Sequence, residues 1–561
     1  MTKNMKLSSP NTVEMEDIKN LFNKANYDLL EIKAKTLIQK YPNVPILYNI
    51  LGVSQSIRGM FKESIPNFEK AIKLNPKFLD AYSNLGGALN GCGELLRAVN
   101  IFKEALKIDQ NNHLVNFNLG DVYVKFNEIE KAIDCFKSAI NSKPDFHLAY
   151  SNYLFFINYS DRYDKSFYYK EALGYRKSIK KINQKLLIPY QYNKAPTKLK
   201  IGFVSSDLKK HPVGYFLFDT LKHLKNMNLE LVAYSDLNNK SEDSFTHELK
   251  NFFSIWHEVK NKNNLELTNL IREDKINLLI DLSSHSANSR LPIFINKPAP
   301  LQITWIAHLD TTGLEEMDYI IADPFVVDKD QESLFVEKVW RLPDVWNCFS
   351  QPNYKIEVGL LPAIKNEFIT FGSFNNLNKV NNSVIKLWSN LLKKLPKSKL
   401  FLKNKNLNFD SYKNIIIKKF YENGIDHNQL ILEGSSPRED LLKTYNKIDI
   451  SLDTFPYSGG STSFESVWMG VPILVLKGNK FISKCGESIN HNLGMSDWIS
   501  DSEKNFVSKA VLICSDIKKL SYLRENLRHK ALNSPLYDAK RFAKNFHDAL
   551  WKMWKIFLNK N

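Results

Sequence analysis

The most suggestive chemistry in the chain lies in a run of small residues, 458–463, in which every residue is Gly, Ser or Thr. The segment KIDISLD before it alternates apolar residues and predicts a strand, and the residues from Phe464 predict the start of a helix. Strand, small-residue turn and helix N-terminus together expose backbone N–H groups and the positive end of a helix to an anion. A diphosphate cradle is one interpretation, and a surface loop with a capping Ser or Thr is the other. The candidate phosphate-binding residues are Gly459, Gly460, Ser461 and Thr462.

Three further side chains have types that suit group transfer. Lys379 follows a predicted strand end, where a long cation can reach a bound diphosphate and stabilise the charge of a leaving group. His211 lies in a loop after another strand and, with a pKa near neutrality, could orient or deprotonate a hydroxyl. Glu465, one turn into the predicted helix, could accept hydrogen bonds from sugar hydroxyls. The alternatives are one more surface lysine in a lysine-rich chain and a structural histidine.

Two sets of strands alternating with helices must position these side chains. Such alternation predicts parallel, doubly wound sheets, whose ligands bind beyond the carboxyl ends of the strands. A last amphipathic helix at 538–558 is expected to cross back onto the first set. The predicted strands are 198–207, 229–234, 276–282, 301–305 and 319–322 in the first set, and 368–374, 399–404, 429–434, 447–453 and 473–478 in the second.

The N-terminal third of the chain is periodic. Gly52, Gly86 and Gly120 are spaced by 34 residues, and a phenylalanine and an alanine repeat on the same lattice. This period is that of tetratricopeptide repeats, which stack as helix pairs with a concave face for peptides or proteins. A degenerate copy at 15–45 and an incomplete one from Asn152 look like caps. A short array can also serve only to form a homo-oligomer or to buttress the next domain.

Composition narrows the remaining function classes. The net charge of +17 comes from dispersed lysines rather than one basic arm, which favours a solvated surface and argues against nucleic-acid binding. The five cysteines lack metal-ligand spacing, which predicts reduced thiols and no structural zinc. We find no apolar run of about 18 residues and no secretory signal, so we expect a cytoplasmic protein without a membrane span.

Six segments, in order and downstream of the repeats, resemble the protein O-linked glycosyltransferases that join tetratricopeptide repeats to a two-domain GT-B region, a group that includes O-linked N-acetylglucosamine transferases and SPINDLY-type enzymes. The resemblance covers nearly the whole chain. It implies an α + α/β protein: repeats over 1–160, a helical linker over 161–197, and Rossmann-like domains over 198–350 and 351–561. The segments are IGFVSSDLKKHPVGYF (201–216), DLSSHSANSRL (281–291), KPAPLQITWI (297–306), TTGLEEMDYIIAD (311–323), FGSFNNLNK (371–379) and LDTFPYSGGSTSFESVWMGVP (452–472).

The resemblance implies roles for particular residues. It assigns Lys379 the role of stabilising the negative charge on the leaving group. It places His211 against the phosphate and sugar of the donor. It also implies that His285 and His308 lie toward the acceptor. The donor contacts that it implies are Asn375, Asn376, Ser436, Arg438, Gly459, Gly460, Ser461, Thr462 and Glu465.

The implied activity is inverting transfer of a sugar from a nucleotide-sugar to Ser or Thr of proteins, with the repeats recruiting the acceptor. No cofactor or metal is expected, because Lys379 and a helix N-terminus can replace the cation and the one Asp-x-Asp string, Asp328 to Asp330, lies in a polar connector. A catalytically silent repeat scaffold is the main alternative from another class. Transfer to a small glycan or a lipid carrier is a third.

Two departures from the family pattern bear on the acceptor and on the donor. His308-Leu309-Asp310 stands where relatives more often have an aromatic-Pro-Gly turn, which could impair or reshape the acceptor side. Leu441 stands where the animal enzymes have a histidine that stacks on uracil. UDP-N-acetylglucosamine is the expected donor, with GDP-fucose as the alternative.

Overall fold

The computed structural model describes residues 9–189, 191–238 and 241–560. The first eight residues, part of the N-terminus in which no secretory signal was found, lie outside it. The chain divides into two compact units, Met1–Tyr153 and Leu154–Asn561.

The first unit consists of antiparallel helix pairs, as the 34-residue period predicts. The three pairs after the first each contribute a glycine on their first helix and a buried phenylalanine on their second. The helices are α1 (Thr12–Asn23), α2 (Tyr27–Lys40), α3 (Pro45–Ile57), α4 (Phe61–Leu74), α5 (Leu79–Gly91), α6 (Leu95–Ile108), α7 (His113–Lys125) and α8 (Ile129–Ser142), and α9 (His147–Ile157) leads into the second unit.

Close packing of glycine against phenylalanine explains the period. A Cβ atom added at any of the three lattice glycines would lie only 2.4–2.6 Å from a phenyl carbon of the paired helix. The three phenylalanines are fully buried, as are the alanines one turn after them. The prediction of tetratricopeptide helix pairs is confirmed. The pairs are Gly52 with Phe68, Gly86 with Phe102, and Gly120 with Phe136.

The second unit contains two sheets, and every strand pair in them is parallel. The first sheet has seven strands in the order β3-β2-β1-β4-β5-β6-β7. Its direction of winding reverses between β1 and β4, which is the topological switch point where ligands bind in such sheets. Its strands are β1 (Leu199–Ser205), β2 (Leu229–Ser235), β3 (Ile255–Glu258), β4 (Leu278–Asp281), β5 (Leu301–Thr304), β6 (Tyr319–Ala322) and β7 (Lys338–Arg341).

The second sheet repeats this plan with six strands in the order β10-β9-β8-β11-β12-β13. Its switch point lies between β8 and β11. The prediction of two Rossmann-like sheets is confirmed. The strands are β8 (Thr370–Ser373), β9 (Lys399–Lys403), β10 (Leu430–Glu433), β11 (Ile450–Leu452), β12 (Ile473–Leu476) and β13 (Ile499–Ser500).

Helices cover both sheets. The last helix packs on the first sheet, where Trp305 stacks on Phe546 with ring centroids 4.4 Å apart, as the crossing helix was expected to do. The helices are α10 (Lys165–Tyr175), α11 (Pro212–Leu224), α12 (Ser244–Lys250), α13 (Asn264–Glu273), α14 (Pro362–Asn366), α15 (Asn382–Lys394), α16 (Asp410–Glu422), α17 (Arg438–Thr444), α18 (Ser461–Trp468), α19 (Cys485–Asn492), α20 (Glu503–Ser515), α21 (Ile517–Leu532) and α22 (Ala539–Lys560).

The structure differs from the sequence expectations at element ends and sheet edges. Helix α18 begins at Ser461 rather than at Phe464, because Gly460 serves as its N-cap and the small residues form its first turn. Strands β3, β7 and β13 were not predicted. The first two have half-exposed side chains at opposite edges of their sheet, and therefore show no apolar run. Across the described residues, no helix is both long and apolar enough to cross a bilayer.

The glycine–phenylalanine contact predicts a paired mutational outcome in helix α5. Gly86→Ala places a methyl group 2.4 Å from the ring of Phe102 and should destabilise the repeats by about 1–3 kcal/mol. Gly87→Ala, on the same helix with open space around it, should instead stabilise by about 0.5–1 kcal/mol through helix propensity. Urea unfolding followed by circular dichroism measures both, and equal effects of the two variants would contradict the packing argument.

Candidate functional site

The carboxyl ends of five strands meet around one cavity of about 450 Å³ in the second unit. Strands β1, β4 and β5 of the first sheet and β8 and β11 of the second are followed by loops that line it. Both switch points therefore face the same space, as the Rossmann topology requires for a ligand between two domains. The predicted residues that line the cavity are His211, Asn375, Asn376, Lys379, Gly460, Ser461 and Thr462.

The small-residue run forms a tight turn into helix α18. No side chain caps this helix. Because Gly460 to Thr462 line the cavity, the positive end of the helix dipole faces the cavity without a capping group. Gly459 packs closely, because a Cβ there would lie 2.2 Å from Ser463 Oγ. The Thr462 hydroxyl donates to Asn375 Oδ1 at 2.8 Å. The turn thus joins the ends of β8 and β11.

Asp453, which directly follows β11, stabilises this turn by accepting hydrogen bonds from its backbone. Its Oδ1 accepts the backbone N–H groups of Gly459 at 2.6 Å and Thr454 at 2.9 Å. Burial raises the pKa of its carboxyl to about 6, while these bonds and Lys379 act in the opposite direction. Gly486 leaves room for it, since a Cβ there would lie 2.2 Å from Asp453 Oδ2.

Lys379 extends into the same corner. Its ammonium donates to the Ser458 carbonyl at 2.8 Å and lies 4.0 Å from the centroid of the Tyr457 ring. Burial lowers its pKa to about 8, and the nearby Asp453 carboxylate partly offsets that effect. A cation therefore sits beside an open helix N-terminus, which is an arrangement that can stabilise charge developing on a diphosphate.

Arg438 and Glu465 bind each other, and neither lines the cavity. Arg438 Nη1 lies 2.7 Å from Glu465 Oε1, and its guanidinium stacks 3.7 Å from the Tyr215 ring centroid. Glu465 is only 2% exposed, and burial raises the pKa of its carboxyl despite the arginine. Ser436 nearby is half-buried, with an Oγ that has no partner among the described residues. The donor-binding roles of these three residues stay predictions.

His211 caps helix α11 at the opposite wall. Its Nδ1 accepts the Val213 N–H at 3.4 Å and lies 3.9 Å from Asp207 Oδ1. Burial lowers its pKa, which Asp207 partly offsets. With Nδ1 as acceptor, a neutral ring carries its proton on Nε2, so it would present a hydrogen-bond donor rather than a base.

His285 and His308 are buried behind the cavity, while their neighbours Ser286, Ala307 and Leu309 line it. The two rings meet edge to face, with centroids 5.4 Å apart. His285 Nε2 pairs with the Thr312 carbonyl at 3.0 Å, and His308 Nε2 with the Asn158 side chain at 3.1 Å. Burial lowers the pKa of His285 to about 3, which fits a neutral structural ring. The acceptor-side role of these two histidines stays a prediction.

Sequence reasoning missed the aromatic wall of the cavity. Phe155 and Tyr159, from α9 and the segment after it, pack against Tyr457, with the two tyrosine ring centroids 4.6 Å apart. The signal was faint, since FFINYS reads as the remnant of a fourth repeat. Ile306 also lines the cavity with a φ of +81°, a strained conformation for a β-branched residue.

Metal ligands are not assembled anywhere in residues 9–189, 191–238 and 241–560: no three His, Cys, Asp or Glu side chains form a group that could hold an ion. Asp328, from the Asp-x-Asp string, instead forms an ion pair with the buried Lys484.

Two parallel sheets of this order, with their switch points around one cavity, define a GT-B-like fold. A model of glycosyl transferase family 41 matches residues 165–349 and 361–546, and tetratricopeptide-repeat models match 46–78 and 93–152. The chain therefore belongs to glycosyl transferase family 41, with the repeats typical of O-GlcNAc transferase-like and SPINDLY-like members.

Relatives with these names are similar over the same region. The probable UDP-N-acetylglucosamine–peptide N-acetylglucosaminyltransferase SPINDLY of Solanum lycopersicum is 31% identical over 418 residues, which are 74% of this chain and 45% of the relative. SEC of Arabidopsis thaliana is 27% identical over 64% of this chain and 37% of its own length. A mutant of the Thermobaculum terrenum O-GlcNAc transferase superposes with a TM-score of 0.81 at 29% identity, covering 92% of this chain and 98% of that one. The chain thus spans less than half the length of these two plant relatives.

The Arg438–Glu465 pair predicts a specific stability pattern. Arg438→Met leaves a buried carboxylate without its partner and should cost about 3–5 kcal/mol of unfolding free energy. Adding Glu465→Gln should restore most of it, because the uncompensated charge is removed. Lys443→Met breaks an exposed pair with Glu439 on helix α17, which also carries Arg438. This variant should cost less than about 1 kcal/mol. Additive losses in the Arg438/Glu465 double variant, measured by guanidinium unfolding, would contradict the pairing.

Proposed function

We propose that the chain transfers a single sugar from a nucleotide-sugar to Ser or Thr hydroxyls of proteins. The observation that carries this proposal is the cavity itself: Lys379 and the open N-terminus of α18 form one wall, and His211 lies on another. A positive wall suits a diphosphate, and a neutral polar wall suits the hydroxyl groups of a sugar and an acceptor.

The leaving group is a nucleoside diphosphate. As the glycosidic C–O bond breaks, negative charge grows on the β-phosphate, where the Lys379 ammonium and the backbone N–H groups of Ser461 and Thr462 can stabilise it without a metal ion. Attack by the acceptor oxygen from the opposite face of the sugar inverts the anomeric carbon, and the hydroxyl proton is released to solvent water. His211, with its proton on Nε2, holds a donor or acceptor oxygen in line for that attack.

UDP-N-acetylglucosamine is the donor that we propose, because the similar plant proteins are named as UDP-N-acetylglucosamine–peptide transferases. Leu441 keeps GDP-fucose as a second candidate, since a leucine side chain packed against the core cannot stack on a planar base as a histidine can. A silent scaffold would not need a half-buried lysine with a lowered pKa beside an uncapped helix. All five cysteines are free thiols, which supports a reducing compartment such as the cytoplasm.

The repeats supply a surface for the protein acceptor. Asparagine side chains link successive first helices: Asn84 donates to Asn49 at 2.9 Å, and Asn118 donates to Ser83 at 3.1 Å. These half-buried amides form a row of polar groups that can also bind the backbone of an extended peptide. Recruitment of the acceptor by the repeats is part of the proposal.

The donor proposal predicts one specific ligand. In a thermal-shift and hydrolysis panel of UDP-N-acetylglucosamine, GDP-fucose, UDP-glucose and UDP-galactose, UDP-N-acetylglucosamine should stabilise the protein and turn over. Lys379→Ala should lower turnover at least about 100-fold, the usual scale for one preorganised electrostatic contact. Lys418→Ala, an exposed lysine of α16, is the matched control and should behave as wild type.

Each other outcome of this panel is informative. Turnover of GDP-fucose alone would identify fucose as the transferred sugar and leave the proposed mechanism unchanged. No stabilisation by any of the four donors would favour the scaffold.

The acceptor proposal predicts separable effects in the repeats. Asn84→Ala with Asn118→Ala should lower kcat/KM for a protein acceptor about tenfold or more and leave donor hydrolysis within about twofold, because the row lies outside the donor cavity. Asn100→Ala, exposed on α6, is the control. Equal loss of hydrolysis and transfer, or no loss at all, would rule out recruitment by this row.

A further inference from the structure

An aromatic ring lies directly against the ammonium of Lys379. Lys379 Nζ lies 4.0 Å from the centroid of Tyr457, and its bond to the Ser458 carbonyl directs the ammonium to that place. Cation–π attraction strengthens as the pair is removed from water, and the Lys379 side chain is half-buried in this corner of the cavity. Tyr457 therefore stabilises the charged form of Lys379.

Two aromatic side chains pack against the Tyr457 ring and fix its position. Tyr159 packs against it at 4.6 Å and Phe155 at 6.5 Å between centroids. Burial, with the neighbouring Tyr457 phenol, keeps the pKa of Tyr159 far above its usual value. Asn381, the N-cap of α15, donates to the carbonyls of both Tyr159 and Phe455 at 3.3 and 2.9 Å, so it ties the two chain segments together.

The other groups that face Lys379 act on its charge in different ways from the ring. Asp453, after β11, supplies negative charge but uses Oδ1 for the turn. Cys485, at the start of α19, is a neutral thiol because burial raises its pKa. The N-terminus of α18 is positive and opposes the ammonium. Only an electron-rich neutral surface favours the ammonium here without adding an anion that would repel a diphosphate.

We propose that Tyr457 is a positioning residue for Lys379: its ring face holds the ammonium charged and in place beside the helix α18 N-terminus, with Tyr159 as its support. The inference rests on the role that the proposed function gives Lys379. The sequence feature that it explains is the aromatic residue immediately before the small-residue run.

The direct test is the ionisation of Lys379 in the full chain, measured without catalysis. Competitive acetylation with acetic anhydride across pH 6–11, read by mass spectrometry, gives the half-point for the Lys379 amine. In wild type it should lie near the pKa of about 8 that burial imposes. Tyr457→Leu should lower that half-point by about one pH unit, a tenfold change in the ratio of ammonium to amine. Tyr457→Phe, which keeps the ring, should match wild type.

Two more variants keep the test decisive. Tyr457→Met, nearer in volume to tyrosine, takes the place of Tyr457→Leu should thermal melting show that the leucine variant is unfolded. Tyr421→Leu, an exposed tyrosine of α16 in the same domain, controls for a general effect of losing an aromatic residue. An unchanged or raised half-point without the ring, or a drop in Tyr457→Phe equal to that in Tyr457→Leu, would overturn the proposal.

Kinetics give a second readout with whichever donor turns over. Tyr457→Leu should lower kcat about tenfold, leave the donor KM within about twofold, and move the alkaline limb of the pH–rate profile down by about one unit. Tyr457→Phe should restore all three values. Absence of turnover in every variant, including wild type, would count against the proposed function, while the acetylation result would still decide the role of Tyr457.

Discussion

A half-buried ammonium group beside an uncapped helix end is the interaction on which the site depends. Positive charge away from water is unstable unless nearby groups compensate it. The chain around Lys379 provides that compensation: a carbonyl at 2.8 Å, an aromatic face at 4.0 Å and the Asp453 carboxylate behind the turn. The glycines at 459 and 486 exist for the same reason, because side chains there would collide with the groups that form this corner.

The two Rossmann-like domains contribute different chemistry to one cavity. The second sheet supplies the lysine, the open helix and the buried aspartate, so its wall carries the charge. The first sheet supplies His211 together with apolar residues such as Val213 and Phe216, and its wall is mostly neutral. Charge separation of this kind orients a ligand that has one anionic end and one neutral end.

Sequence reasoning succeeded where local pattern determines structure. The 34-residue lattice predicted the helix pairs, because a glycine that must accommodate a phenyl ring repeats with every pair. Buried central strands such as β1 and β2 were predicted within a residue or two at their ends, since each is mostly apolar and buried at all but one position. Edge strands β3 and β7 were missed because half-exposed side chains carry no such signal.

At the site, sequence reasoning gave the residues but not their partners. Lys379, His211 and the small-residue turn line one cavity, which their positions after strands implied. The pairing of Arg438 with Glu465 could not be read from residues 27 positions apart on different helices. The burial of His285 and His308 behind the wall depends on which neighbour faces inward, and a loop sequence does not determine that. The contact of Tyr159 with Tyr457 joins segments almost 300 residues apart.

The stacking of Trp305 on Phe546 has a consequence for synthesis of the chain. Strand β5 lies near the middle of the sequence, yet part of its hydrophobic cover is helix α22, which the ribosome makes after both sheets. The β1–β7 sheet can complete its core only after α22 has emerged, while the repeat helices, whose contacts are local, can fold as they appear. During translation the second sheet and its helices are produced before the first sheet is fully covered, so the domain encoded earlier is the one finished later.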